Sequence, residues 1–196
     1  MTLQHKQSSA HEVIIVGAGS SGLSLAFYLL KRGIRPLILD AAPEVASSWR
    51  KRHPQLSLNT HRVLSKLPDM FFPRRQGVFV RRDEFIAYLE RYVVKLETQY
   101  KVKINFNQEV TAIDRVSDGW QVKTQSASYL TSQLVIATGP DKVPYMPKWL
   151  GIDKFKGSIT HAIDFGEVSQ YDDKDVLIIG GANSGIDLAN HLVRRG

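Results

Sequence analysis

Two short glycine strings hold the residues whose types and spacing point most directly to chemistry. The first is Gly17-Ala18-Gly19-Ser20-Ser21-Gly22, a G-x-G-x-x-G pattern, with Asp40 lying 18 residues after Gly22. At such a turn Gly17 permits the tight bend, Gly19 lets the backbone approach a pyrophosphate, and Gly22 lets helix and strand pack closely. The helix that starts there, with Ser20 and Ser21 in its opening turn, faces the phosphates with free N–H groups and a positive dipole end. Asp40 is placed to accept hydrogen bonds from a ribose diol. The competing explanation is a glycine-rich turn that holds no nucleotide. The second string, Gly180-Gly181-Ala182-Asn183-Ser184-Gly185, keeps the outer glycines and replaces the middle one by Ala182. The added methyl keeps a pyrophosphate slightly farther from the backbone. Gly181, Ala182, Asn183 and Ser184 are its candidate phosphate-lining residues, and a packing glycine pair is the plainer alternative.

Both strings need a strand before them and a helix after them. Val13-Ile14-Ile15-Val16 is a continuous β-branched run, as suits a strand buried on both sheet faces. Leu23, Ala26, Phe27 and Leu30 follow at helical spacing, and Gly33 stands where a helix end favours positive φ. A second strand, Pro36 to Leu39, delivers Asp40 and completes a β-α-β unit. Residues 41–80 are irregular and punctuated by Pro43, Pro54, Pro68 and Pro73, and loops of that length are uncommon unless functional. Asp83 is expected to cap a helix whose apolar face is Phe85, Ile86, Leu89, Val93 and Leu96. Strand-like runs follow at 102–106, 109–116, 120–124 and 129–137, with Asp118-Gly119 as a hairpin signal. After a connector holding Pro140, Pro144 and Pro147, Asp175-Val176-Leu177-Ile178-Ile179 reads as another strand, and Ile186, Leu188, Ala189 and Leu192 as another helix. The strand–glycine–helix unit thus occurs twice, at 13–33 and 176–196.

Composition narrows the chemistry further. A chain with 43% hydrophobic and 23% charged residues is ordinary for a globular protein. Lys and Arg number 26 against 19 Asp and Glu, but the excess sits in short pairs such as Arg74-Arg75 and Arg81-Arg82, without interleaved aromatics. That argues against nucleic acid as a partner. There is no cysteine, which excludes disulfide frameworks, thiolate metal sites, cysteine nucleophiles and redox-active cysteine pairs within these residues. The polar start and short apolar runs predict no signal peptide, no membrane span and a cytoplasmic location. His5, His11, His53, His61 and His191 show no ligand spacing, so no metal is expected. Asp187 reads as a carboxylate complementing a helix dipole.

With both glycine motifs in place, the chain resembles flavin-containing monooxygenases and their Baeyer–Villiger and plant auxin-synthesis relatives. Ser48-Trp49-Arg50 looks like the family's tryptophan segment, and Leu56-Ser57-Leu58-Asn59-Thr60 like the stretch beside the flavin. Phe155-Lys156-Gly157-Ser158-Ile159-Thr160-His161 fits F-x-G-x-x-x-H, with Phe165 at the following aromatic position. Ala137-Thr138-Gly139 is a signature of the broader two-dinucleotide class, and Val110 matches a valine whose backbone meets the FAD adenine. His61 stands where many relatives have proline, and Asp40 where glutamate is commoner.

The resemblance implies FAD at the first motif and NADPH at the second, with a small-molecule substrate and molecular oxygen as partners. It implies an α/β architecture: a Rossmann-like FAD-binding domain with a parallel sheet and a β-meander, then the first β-α unit of a second dinucleotide-binding domain. The expected division is a flexible leader at 1–11, the FAD-binding domain at 12–142, a linker at 143–174, and an incomplete NAD(P)H-binding domain from 175 to 196. The cofactor-binding set is Gly17, Gly19, Ser20, Ser21, Gly22, Asp40, Ser48, Trp49, Asn59, Thr60, Val110, Thr138 and Gly139, with the second-motif residues above. Asn59 is the candidate catalytic group, with a plain turn residue as its alternative, and His161 reads as structural. The implied activity is monooxygenation through a C4a-(hydro)peroxyflavin on a nucleophilic or ketone substrate. Relatives run well past Gly196, so the chain reads as a truncated member, and a dinucleotide-binding remnant without turnover is the alternative. A flavin-dependent disulfide reductase of the cysteine-pair type is excluded for this segment by its lack of cysteine.

Overall fold

The computed structural model describes residues 10–140 and 143–194. The ends of the expected leader and second domain (1–9 and 195–196), and the last two residues of the expected FAD-binding domain (141–142), lie outside the described residues.

Strand β1 runs Ala10–Val16 and feeds helix α1, Ser20–Lys31, which crosses back to β2, Leu37–Leu39. Helix α1 ends where Gly33 adopts φ +79°, with the Gly33 and Ile34 N–H groups donating to the Leu30 and Leu29 carbonyls. Two four-residue helices, α2 at Ser47–Arg50 and α3 at Arg62–Ser65, interrupt the long irregular segment. Helix α4, Arg82–Tyr100, crosses from that segment to β3, Lys103–Asn105. Strands β4 (Val110–Val116), β5 (Gly119–Thr124) and β6 (Ser128–Ile136) complete a six-stranded sheet of order β3-β2-β1-β6-β5-β4. The pairs among β3, β2, β1 and β6 are parallel, and β6-β5-β4 is an antiparallel meander.

The unbroken apolar run of β1 follows from burial on both faces. Val13 and Ile15 pack into the large core with Leu23, Phe27, Leu89 and Tyr92, the residues that α1 and α4 turn inward. Ile14 and Val16, one step out of phase, join Leu37, Leu39 and Val122 on the opposite face. Of the expected apolar face of α4, all five residues are buried.

Three expectations need correction. Strand β1 starts at Ala10, so Ala10 and His11, read as leader, pair with Leu130 and Thr131 because β6 is long enough to extend the ladder. Asp83 does not cap α4: it lies inside the first turn, bound to Arg82 at 2.7 Å, while Glu84 reaches back to the Arg81 N–H at 3.2 Å. Residues 175–179 form no strand among the described residues, and Leu177 and Ile179 stay 82% and 68% exposed. A β-branched run becomes a strand only against a neighbouring strand, and among the described residues this run pairs with none. The helix after it, α5 at Asn183–Val193, forms nonetheless.

Candidate functional site

The candidate site gathers at the carboxyl ends of β1, β2 and β6, where open α/β sheets receive ligands. Gly17 takes φ +112°, and a Cβ there would overlap the Ala137 carbonyl, so glycine is required by both backbone and neighbour. A Cβ on Gly22 would overlap the Gly17 carbonyl, which closes helix onto strand. Gly19 differs. Its φ of −77° suits any residue, and a Cβ there meets no protein atom within 4 Å. Nothing among the described residues explains this glycine, whereas a group lying against the backbone would. No side chain caps α1, so the opening N–H groups beside Gly19 have no side-chain partner. Open backbone and uncapped N–H groups together fit a phosphate-bearing cofactor such as FAD.

Asp40 closes the other side of the turn. Its two carboxylate oxygens accept from the Ala18 N–H at 2.6 Å and the Ala42 N–H at 2.8 Å. The Gly17 N–H donates to the Leu39 carbonyl at 2.7 Å, so β2 and the turn are fastened twice. Each carboxylate oxygen keeps a second lone pair that a ribose hydroxyl could use. The Gln108 N–H donates to the Asp40 carbonyl at 2.8 Å, which brings Val110, two residues on, to the same end of the sheet. The Ala137 N–H bonds the Val16 carbonyl at 2.8 Å and sets Thr138 and Gly139 against the first turn. Gly17, Gly19, Ser20, Ser21, Gly22, Asp40, Val110, Thr138 and Gly139 therefore share one neighbourhood.

The tryptophan segment forms α2. Ser48 is exposed, whereas Trp49 packs edge-on to Phe85 with ring centroids 4.7 Å apart. Asn59 and Thr60 are exposed just after Leu58, which is buried in the same core as Ala18. The Leu58 N–H donates to the Val80 carbonyl, and Thr60 Oγ1 lies 2.5 Å from Ser65 Oγ. His61 and His161 are both helix caps: their Nδ1 atoms accept from the Val63 and Ile163 N–H groups. That gives His161 a structural task. Phe165 is buried and stacks on Tyr171 at 4.6 Å.

The second glycine turn repeats the geometry of the first. Gly180 also takes φ +112°, a Cβ on Gly185 would overlap the Gly180 carbonyl, and Ala182 at φ −82° stands where Gly19 stands. No side chain caps α5, and nothing lies within 4 Å of a Cβ on Gly181. Gly181, Ala182, Asn183 and Ser184 are exposed around this opening.

Sequence spacing did not reveal a cluster formed by His53, Asp187 and His191. His53 Nε2 lies 3.0 Å from Asp187 Oδ2, and His191 Nε2 lies 3.5 Å from Asp187 Oδ1. His53 is buried, and burial holds its imidazole below the ordinary histidine range against the raising pull of Asp187. Asp187 thus does more than face a helix dipole. The signal available in the sequence was its i,i+4 spacing to His191 on one helix; His53 comes from a distant loop.

Among the described residues no helix is long and apolar enough to cross a membrane. Residues 14–196 match the family described as pyridine nucleotide-disulphide oxidoreductase. A probable indole-3-pyruvate monooxygenase, YUCCA1 of Arabidopsis thaliana, is 35% identical, over 94% of this chain and 45% of its own length. The structure superposes on a flavin-containing monooxygenase from Stenotrophomonas maltophilia with a TM-score of 0.85 and 26% identity, over 95% of this chain and 56% of that one. A bacillithiol disulfide reductase from Staphylococcus aureus gives 0.80 and 27%, over 96% and 55%. The chain spans about half the length of the curated relatives it matches.

Proposed function

The chain belongs to the pyridine nucleotide-disulphide oxidoreductase family, and from that membership we propose that its parent protein is an FAD-dependent NADPH monooxygenase acting on a small nucleophilic or ketone substrate. Residues 12–142 are then the FAD-binding domain, 143–174 the linker, and 175–196 the opening of the NADPH-binding domain. The single observation that carries the assignment is Gly19, whose glycine no feature of the described residues requires.

When bound, FAD would supply the redox chemistry that couples NADPH oxidation to insertion of one O2 oxygen into the substrate, the other leaving as water. The chain's own part is to hold and orient. Gly19, Ser20, Ser21 and Gly22 would receive the pyrophosphate on backbone N–H groups, Asp40 the ribose, and Val110 the adenine through its backbone. Ser48, Trp49, Thr60, Thr138 and Gly139 would line the flavin side. Gly181, Ala182, Asn183 and Ser184 would receive the phosphates of NADPH, with the Ala182 methyl setting their distance. Asn59 would stabilise charge developing beside it after oxygen has reacted, since its amide both donates and accepts.

The test is Asn59→Leu in the full-length protein, with NADPH consumed, hydrogen peroxide released and product formed measured in one assay. FAD retention and hydride uptake should persist, while product per NADPH falls by about tenfold or more and peroxide rises to match. Unchanged coupling would reduce Asn59 to a turn residue. The likeness to a bacillithiol disulfide reductase favours disulfide reduction as a second function, but these 196 residues hold no cysteine to exchange with a substrate disulfide. Oxygen-dependent product formation separates the two.

A further inference from the structure

We infer that His53, Asp187 and His191 form a binding site for a divalent transition-metal ion of the zinc class, bridging the loop before Asn59 and helix α5. The three side chains offer two imidazole nitrogens and a carboxylate, with their ligand atoms all within 4.8 Å of one another. Ligands held by zinc at about 2.0–2.1 Å stand roughly 3.3 Å apart around a tetrahedron. His53 Nε2 lies 3.0 Å from Asp187 Oδ2 and His191 Nε2 3.5 Å from Asp187 Oδ1, so each histidine meets its own carboxylate oxygen and a bound ion would draw the set inward.

The surroundings of His53 supply the independent observation. His53 is 5% exposed, and its Nδ1 is buried without a hydrogen-bond partner. The Gln55 side chain interacts electrostatically with His53, and the Gln55 Oε1 is likewise buried and unpartnered. Gln55 cannot turn freely, because its Nε2 donates to Glu167 Oε2 at 2.7 Å. A proton on Nδ1 directed at Gln55 Oε1 satisfies both atoms and leaves Nε2 with a lone pair. Without metal, a proton on Nε2 can bridge the 3.0 Å to the Asp187 carboxylate; with the proton on Nδ1, that Nε2 lone pair and the carboxylate converge as a ligand pair. Metal-bound histidines generally anchor their other ring N–H in this way. His191 closes a third side. The partial exposure of Asp187 and His191, 31% and 20% at the side chain, gives a path for entry and room for a water as fourth ligand. Imidazole with carboxylate suits zinc, cobalt or nickel better than magnesium or calcium.

The site is tested on the full-length protein, stripped with a chelator, by calorimetric titration with ZnCl2 and by the visible absorption of Co2+ on binding. The wild type should take up one more equivalent of Zn2+ than His191→Ala, with Co2+ bands of low coordination number that the variant lacks. Asp187→Asn should lose the same equivalent, and Gln55→Leu should weaken it by about 10- to 100-fold. His191 is partly exposed, so thermal melting of His191→Ala without metal should match the wild type and keep the comparison valid. Equal Zn2+ uptake by wild type and His191→Ala would overturn the site, leaving only an imidazole–carboxylate pair. None of these readouts depends on flavin, so the site stands or falls apart from the oxygenase assignment.

Discussion

Gly19 and Gly22 lie three residues apart and are glycine for different reasons. Gly22 is fixed from inside, since a Cβ there would overlap the Gly17 carbonyl. Gly22→Ala should therefore force the turn apart and destabilise the fold by about 1–3 kcal/mol, the usual cost of overpacking. Chemical denaturation of the variant checks this, and an unchanged midpoint would mean that the turn has slack. Residue types at this scale were highly legible: the glycine spacing and Asp40 could be read directly, because they lie in one short strand–turn–helix–strand stretch, Gly17 and Gly22 answering to the backbone and Gly19 to open space beside it. The hydrogen bonds from Ala18 and Ala42 to the Asp40 carboxylate were not legible, since they depend on how β2 ends beside the turn. His53 was missed for a similar reason. Its partners come from a helix more than 130 residues away in the chain.

At the scale of elements, the long segment 41–80 is held by helix α4 rather than by its own secondary structure. The Tyr88 hydroxyl accepts from the Leu67 N–H and donates to the Met70 carbonyl, both at 2.7 Å, while its ring stacks on Phe72 at 4.0 Å. Tyr88 is fully buried, so nothing replaces those bonds if the hydroxyl goes. Tyr88→Phe should cost about 1–3 kcal/mol by stranding two backbone groups, measurable as a lowered denaturation midpoint. A loss below about 0.5 kcal/mol would show that water satisfies them instead. Helical periodicity named five of the seven buried residues of α4 in advance, but it omitted Tyr88 and Tyr92 and carried no hint that Tyr88 reaches across to Leu67 and Met70. The run at 175–179 shows the converse limit. Its pattern matches β1, but strand formation is settled by a neighbouring strand and not by the residues alone.

Across the whole molecule, one local geometry appears twice, at Gly17–Gly22 and Gly180–Gly185, with the same φ of +112° at each leading glycine. The first copy sits in a six-stranded sheet beside Asp40, Val110 and Thr138; the second has no sheet among the described residues. That contrast makes the first turn the better framed of the two proposed cofactor sites, and the proposed function depends on a dinucleotide lying against Gly19. Gly19→Val isolates that dependence. The position has an ordinary φ and open space around its Cβ, so the fold should lose no more than about 1 kcal/mol of cap preference. The decisive measurement is the flavin absorbance per mole of purified full-length Gly19→Val, taken beside its thermal melt. Near-zero flavin in a protein whose apo form melts like the wild-type apoprotein is the predicted result. Wild-type flavin content would contradict the assignment of FAD to this turn.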